Sequence, residues 1–225
     1  MPVNISAYQS IHASLADQNV SLIAVSKTKP NEDLMELYAL GQRAFGENYV
    51  QELVDKAAAL PKDIQWHFIG HLQSNKVKYI APFVHLIHGV DGEKLLQEIN
   101  KQAAKQGRII DCLLQVHIAE EATKFGFDED SLKELLASGR LSNYPNVQVK
   151  GLMGMASFSE DSHQVQAEFK QLKKCFDLAK NTIGVSCSIL SMGMSGDYEL
   201  AIQEGSNMVR IGSLLFGARN YPAAK

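Results

Sequence analysis

The chain has 225 residues, 45% of them hydrophobic and 21% charged, a balance that supports a packed core and excludes a disordered or low-complexity chain. Lys and Arg number 22 against 25 Asp and Glu, a net charge of −3 without a basic block, which excludes a general nucleic-acid coating surface. No run approaches the roughly 18 apolar residues that span a bilayer, and Met1 to Ser6 lack the basic and apolar parts of a secretion signal, so a cytoplasmic protein with no membrane partner is expected.

In chain order, an opening helix is predicted over about residues 4–18, with Asn4 as N-cap and Ile5, Tyr8, Ile11 and Leu15 on one face. Short apolar runs then alternate with helical stretches. The runs are Ser21 to Ser26, Arg43 to Phe45, Gln65 to Ile69, Val84 to His88, Ile109 to Ile118, Val147 to Met153, Ser186 to Leu190 and Met208 to Ile211, eight predicted strands. Between them lie predicted helices over Glu32 to Leu40, Tyr49 to Leu60, Leu72 to Ile80, Glu93 to Gln106, Asp130 to Ser138, His163 to Thr182 and Tyr198 to Glu204. Gly41, Gly107, Gly139, Gly184 and Gly205 stand where helices stop.

Strand and helix alternate with a period of about 28 residues, which argues for parallel strands with crossover helices. The expected fold is α/β, a (β/α)8 TIM barrel forming one domain over 1–225 with the extra N-terminal helix. An open doubly wound sheet is the alternative, but the first strand runs into Ser-Lys-Thr-Lys-Pro instead of a glycine-rich dinucleotide turn. Cys112, Cys175 and Cys187, with no two-residue spacing and apolar neighbours, are expected to be buried and reduced.

In such a barrel the chemistry lies at the C-terminal strand ends. Those positions carry Lys27, Glu47 and Asn48, His67 and His71, His88 and Asp91, His117 and Lys124, Met153 and Ser157, Ser191 and Ser195, then Arg210, Gly212 and Ser213. Lys27 leaves the end of a buried strand, where an amine can attack a carbonyl if a cationic neighbour such as Lys29, or desolvation, lowers its proton affinity; a solvated turn lysine is the plainer alternative. Ser191 to Asp197 and Arg210 to Ser213 are glycine-containing turns with hydroxyls after strands seven and eight, a common place for a phosphate, and Ser195 can cap the helix that follows. Glycine serving the backbone alone is the alternative there. Closure makes strands eight and one neighbours, so lysine and cradle together outline a phosphorylated aldehyde, with Arg210 between them. His67 and His71 are four apart, but Gly70 breaks the register and no Glu follows His67, so no metal is expected. His12, His85 and His163 are read as structural or solvated, and Trp66 as packing.

Ala-Val-Ser-Lys-Thr-Lys-Pro at 24–30, Phe-Gly-Glu-Asn-Tyr-Val-Gln-Glu at 45–52 and Trp-His-Phe-Ile-Gly-His-Leu-Gln-Ser-Asn-Lys at 66–76 are followed by Gly-Leu-Met-Gly-Met at 151–155, Leu-Ser-Met-Gly-Met-Ser-Gly-Asp at 190–197 and Val-Arg-Ile-Gly-Ser at 209–213. From Lys27 to Arg219 the chain resembles the pyridoxal phosphate homeostasis proteins, the YggS/PROSC family. The resemblance implies a barrel similar to the N-terminal domain of alanine racemase, with pyridoxal 5′-phosphate (PLP) as cofactor. On it, Lys27 carries the Schiff base, Arg210 faces the pyridine nitrogen, Asn48 lies by the ring, Ser191, Gly212 and Ser213 hold the phosphate, and Met153 is a further cofactor-binding residue. Lys29, His67 and Lys124 are secondary candidates.

The expected function is PLP binding and vitamin B6 and amino-acid homeostasis without catalytic turnover, with apo PLP-dependent enzymes as possible recipients. An always-charged arginine at the ring nitrogen disfavours protonation there and weakens the electron sink. Only Leu214 to Lys225 follow strand eight, too few for the second domain of a racemase, and a monomer is expected. A small PLP-dependent racemase or lyase is the enzymatic alternative, an aldolase using Lys27 without PLP a further one. A pure interaction module leaves the lysine and both glycine turns unexplained.

Overall fold

The computed structural model describes residues 3–119 and 125–217. Strands β1 (Ser21–Val25), β2 (Ala44–Glu47), β3 (Gln65–Phe68), β4 (Leu86–Val90), β5 (Ile110–Gln115), β6 (Val147–Met153), β7 (Ile189–Ser191) and β8 (Met208–Ile211) pair in sequence order, all parallel. Pairing of Ser21 with Met208 through Ala24 with Ile211 joins β8 to β1 and closes the barrel. The fold is therefore the expected TIM barrel and not an open sheet.

Among the described residues, α1 (Ile5–Asp17) precedes the barrel and α2 (Asn31–Ala39), α3 (Val50–Ala59), α4 (Val77–Ile80), α5 (Glu93–Lys105), α6 (Glu129–Ala137), α7 (Ser162–Ile183) and α8 (Tyr198–Gln203) follow successive strands, with α9 (Ser213–Phe216) after β8. Asn4 caps α1 by accepting from the Ala7 N–H at 3.1 Å. Tyr8, Ile11 and Leu15 are buried as the spacing predicts, but Ile5 is exposed and Val3 is buried in its place. The five helix-stop glycines all have positive φ, from +61° to +101°, the region an L side chain avoids.

Several boundaries differ from the sequence reading for identifiable reasons. The stretch Leu72 to Ile80 is a 3-10 turn over Ser74–Lys76 leading into the four-residue α4, because Gln73 remains extended. Val84 spends its N–H on Ile80 O at 2.9 Å, so β4 starts only at Leu86. The predicted strand Ile109 to Ile118 stops at Gln115: Val116 keeps its N–H on Met153 O at 2.8 Å but already bridges to Phe127, and His117 donates to Phe127 O at 2.9 Å. Cys187 is used in a turn, its N–H bonding Gly184 O at 3.0 Å, which delays β7 to Ile189. Cys112, Cys175 and Cys187 are buried and unpaired. No helix of the described residues is long and apolar enough to cross a membrane.

Side chains alternate along a strand, so each strand sends every second residue into the barrel. Ile23, Leu86, Leu113, Met153 and Met208 form a separate apolar cluster, with Ala44, Met155 and Ile189 against it. The outward residues form the larger core between strands and helices, where Phe45, Leu53, Leu114, Phe169 and Leu190 are fully buried.

Candidate functional site

A cavity of about 570 Å³ opens at the C-terminal ends of the strands. Its lining includes Lys27 and Lys29 after β1, Asn48 after β2, Ile69 after β3, Met155 and Ser157 after β6, Ser195 and Asp197 after β7, and Arg210, Gly212 and Ser213 at β8. The volume lies within the roughly 300–1,000 Å³ of small-molecule sites, and Val25, Ile69, Met155 and Val165 provide apolar wall.

Lys27 is placed by the turn Ser26 to Lys29, closed by the Lys29 N–H on Ser26 O at 3.1 Å, with Thr28 at φ +63° in the third position. Lys29 reaches across to the end of α9, its Nζ donating to Phe216 O at 2.6 Å. Both amines thus belong to one wall.

Arg210 forms part of the floor. It is 4% exposed and donates through Nη1 to Ser191 O at 3.0 Å and Ser191 Oγ at 2.7 Å, and through Nη2 to Gly154 O at 3.1 Å. A guanidinium has five N–H groups, so two remain for the cavity. Burial lowers its pKa to about 10, with Asp197 opposing the shift, and it stays charged near neutral pH.

Behind Arg210 a buried chain continues from Ser191 Oγ to His88 Nδ1 at 3.2 Å, and from His88 Nε2 to His67 Nδ1 at 2.9 Å. Its proton order follows from the arginine, which can only donate, and from the Ser191 hydroxyl, whose one remaining partner among the described residues is His88 Nδ1. Ser191 Oγ accepts from Arg210 and gives its proton to His88 Nδ1; His88 must then donate from Nε2 to His67, whose remaining proton sits on Nε2. That Nε2 is buried and has no hydrogen-bond partner among the described residues. Burial and then His85 lower the His67 pKa to about 3; burial, then His67, Arg210 and His85, push His88 well below the usual value. Both imidazoles are neutral.

Asn48 borders the cavity with a buried Oδ1 that has no hydrogen-bond partner among the described residues. Its backbone is crossed so closely by Gly70 that a Cβ there would lie 2.5 Å from Asn48 O. Glu47, the preceding residue, points the other way and lies fully buried under α3, bonded to Ser26 Oγ at 2.6 Å and Lys56 Nζ at 2.7 Å. On the opposite wall, Glu168 of α7 accepts from both Ser157 N and Ser157 Oγ at 2.6 Å, fixing the segment that carries exposed Phe158.

The turns after β7 and β8 meet where Ser195 Oγ accepts from the Gly212 N–H at 3.2 Å. Ser195 therefore does not cap α8 as expected. Asp197 holds the N-cap position, and its Oδ1 accepts from Met194 N at 2.6 Å to tighten the turn. The N–H groups of Ser195, Gly196 and Ser213 have no acceptor among the described residues, leaving donors for an anion. Glu160 and Asp197 are acidic members of the same lining.

Of the expected site residues, Lys27, Lys29, Asn48, Arg210, Gly212 and Ser213 meet at this cavity. Ser191, expected at the phosphate, is instead fully buried beneath the floor and committed to Arg210 and His88. Met153 and His67 also lie below it, Met153 in the apolar barrel layer and His67 at the end of the buried chain. Lys124 is outside the described residues. His71 bonds Asp91 Oδ2 at 2.9 Å and stacks on Phe125 at 3.8 Å between ring centroids, away from His67's partners. Met155 was legible as the residue one alternation above Met153. Lys56 and Glu168 carried no signal, because charged helix residues ordinarily face water.

The alanine racemase N-terminal domain family matches residues 4–220. The pyridoxal phosphate homeostasis protein of Aquifex aeolicus is 42% identical over 210 residues, 93% of this chain and 91% of its own. The structure of PipY from Synechococcus elongatus without PLP is similar with a TM-score of 0.88 and 37% identity, over 94% of this chain and 99% of that one. PipY with PLP bound gives 0.81 and 38%, over 91% and 97%.

Proposed function

The chain belongs to the pyridoxal phosphate homeostasis protein family, built on the alanine racemase N-terminal domain, and from that premise we propose that it binds PLP at the barrel mouth and serves PLP homeostasis. The observation that carries the reading is the convergence of an amine, a buried guanidinium, unspent backbone donors and an unpartnered Asn48 Oδ1 on one cavity. These fit the polar groups of PLP: aldehyde, ring nitrogen, ring hydroxyl and phosphate.

Lys27 is the residue we assign to the aldehyde, in a Schiff-base linkage. Ser195, Gly196, Gly212 and Ser213 surround the phosphate, with Lys29 adding positive charge at that wall. Asn48 Oδ1 accepts from the ring hydroxyl, and one of the two unspent N–H groups of Arg210 meets the ring nitrogen. Ser191 serves indirectly, by holding the arginine. When bound, PLP supplies an electrophilic carbon and a conjugated ring able to take up electrons. Arg210 would hold its positive charge at the ring nitrogen, keep a proton off that atom and so oppose carbanion chemistry. The reading is therefore storage and release without turnover, with apo PLP-dependent enzymes as recipients.

Borohydride reduction of the PLP-loaded protein followed by peptide mass spectrometry tests it. The adduct is expected at Lys27, and Lys27→Ala is expected to lose the linkage while retaining weaker phosphate-dependent binding. An adduct absent from Lys27 in the wild-type chain overturns the assignment. Turnover is tested with a panel of amino acids in deuterated water, where no Cα exchange is expected; exchange would restore the racemase alternative that the family match keeps in view.

A further inference from the structure

The turn that carries Lys27 is held from outside the barrel by a buried charge cluster. Lys56 of α3 donates to three acceptors: Ser26 O at 2.8 Å, Glu47 Oε1 at 2.7 Å and Glu52 Oε1 at 2.7 Å. Glu52 Oε1 also accepts from the Thr28 N–H at 2.6 Å. The two peptide groups flanking Lys27 are thus gripped by the same pair, the preceding one through its carbonyl and the following one through its N–H.

The conformation being gripped is costly. Thr28 has φ +63°, rare for a β-branched residue and natural for glycine in the third position of a turn. Such a residue persists only where its surroundings over-determine it. The left-handed step turns the chain sharply, so Lys27 enters the cavity while Pro30 starts α2 outside. A buried ion pair is by itself weak support for stability. Lys56 and Glu47 have side chains only 6% and 0% exposed, and a second Glu47 oxygen has no hydrogen-bond partner among the described residues. A cluster that leaves one buried carboxylate oxygen without a partner, with both its free ends on one turn, fits positioning better than cohesion.

We infer that Lys56 and Glu52 are positioning residues that lock the turn around Lys27 and so aim its amine at the aldehyde of PLP. The inference rests on the assignment of Lys27 above. It divides binding from linkage: the clamp touches neither phosphate cradle nor ring wall, so its loss slows bond formation at Lys27 and leaves the remaining contacts intact. A displacement of about 1 Å can cost up to about a hundredfold in a bond-forming step.

Two variants test it, Lys56→Met and Glu52→Ala, the second at a side chain 21% exposed that folding tolerates more readily. In the protein without PLP, hydrogen exchange at the Thr28 amide is expected to accelerate by about tenfold or more, since its acceptor is removed or its anchor lost. On mixing with PLP, the rate of forming the borohydride-reducible adduct at Lys27 is expected to fall by about tenfold. Affinity for pyridoxine 5′-phosphate, which has ring and phosphate but no aldehyde, should change less than about twofold. A cooperatively folded variant that forms the Lys27 adduct at the wild-type rate overturns the inference, as does parallel loss of pyridoxine 5′-phosphate binding. If Lys56→Met fails to fold, Glu52→Ala decides. A wild-type chain lacking the Lys27 adduct sinks the Lys27 assignment and the clamp's purpose with it, whereas rapid Thr28 exchange in the wild type sinks the clamp alone.

Discussion

The barrel interior has two storeys made from the same strands. In the lower one, Ile23, Leu86, Leu113, Met153 and Met208 fill the lumen with hydrocarbon. Two residues further along β4, β7 and β8 the same inward face carries His88, Ser191 and Arg210, a hydrogen-bonded chain that ends on His67. The lower storey depends on volume and tolerates exchange among apolar side chains of similar size. The upper one depends on every donor meeting its acceptor, and one change of partner resets the proton order of the whole chain. Stability and cofactor binding are thus separated by a single alternation step.

The sharpest way to test that separation is to damage each storey in turn. Leu113, fully buried in the lower one, is expected to cost about 2–5 kcal/mol on replacement by Ala through lost transfer energy and a cavity, read from denaturant unfolding. Affinity for pyridoxine 5′-phosphate should be retained at temperatures where the variant is folded; a matching loss of affinity would break the two-storey description. Ser191→Ala acts on the upper storey with a smaller stability cost, about 1–3 kcal/mol, because Arg210 Nη1 and His88 Nδ1 each lose a partner. Here affinity should fall together with stability, since the guanidinium loses one of its three anchors and is held only by the carbonyls of Ser191 and Gly154. A Ser191→Ala protein with unchanged affinity would show that Arg210 holds its place without the chain.

How far this was visible in the sequence depends on how many strands a feature spans. β6 and β8 have the predicted bounds, because an apolar run between turn residues is a property of one segment. His67, His88, Ser191 and Arg210 each stood out as polar residues at strand ends, yet their linkage requires β3, β4, β7 and β8 to face one another across a closed lumen, which spacing along the chain does not encode. Met153 and Met155 differ by one step of the strand period, enough to move the cavity contact from one to the other. Ser195 preceded a helix and looked like its cap, but Asp197 lies closer to that helix and Gly212 N–H takes the serine oxygen. Lys56 in α3 read as an ordinary surface residue; only the buried Glu47 and the Ser26 carbonyl explain it.

Taken per pH unit, the smallest expected effect is also the one that separates the storeys without altering a side chain's volume by design, namely pH. His67 and His88 are neutral in the fold, with pKa values pressed down by burial, to about 3 for His67. In the unfolded chain each returns to about 6.5. Between those values the unfolded state binds more protons, so stability is undiminished above pH about 6.5 and declines as pH falls toward 3, by up to about 1.4 kcal/mol per pH unit for each histidine. Glu47 works in the opposite sense over its own range, because burial raises its carboxyl pKa and protonation favours the fold. The lower storey contains no titratable group and contributes no slope. His67→Gln keeps an acceptor for His88 Nε2 and removes one proton-binding site, so its unfolding free energy should fall less steeply between pH 6 and 4 than that of the wild type. An equal slope in both proteins would mean that His67 is not the neutral end of the chain, and the proton order imposed by Arg210 would have to be reversed.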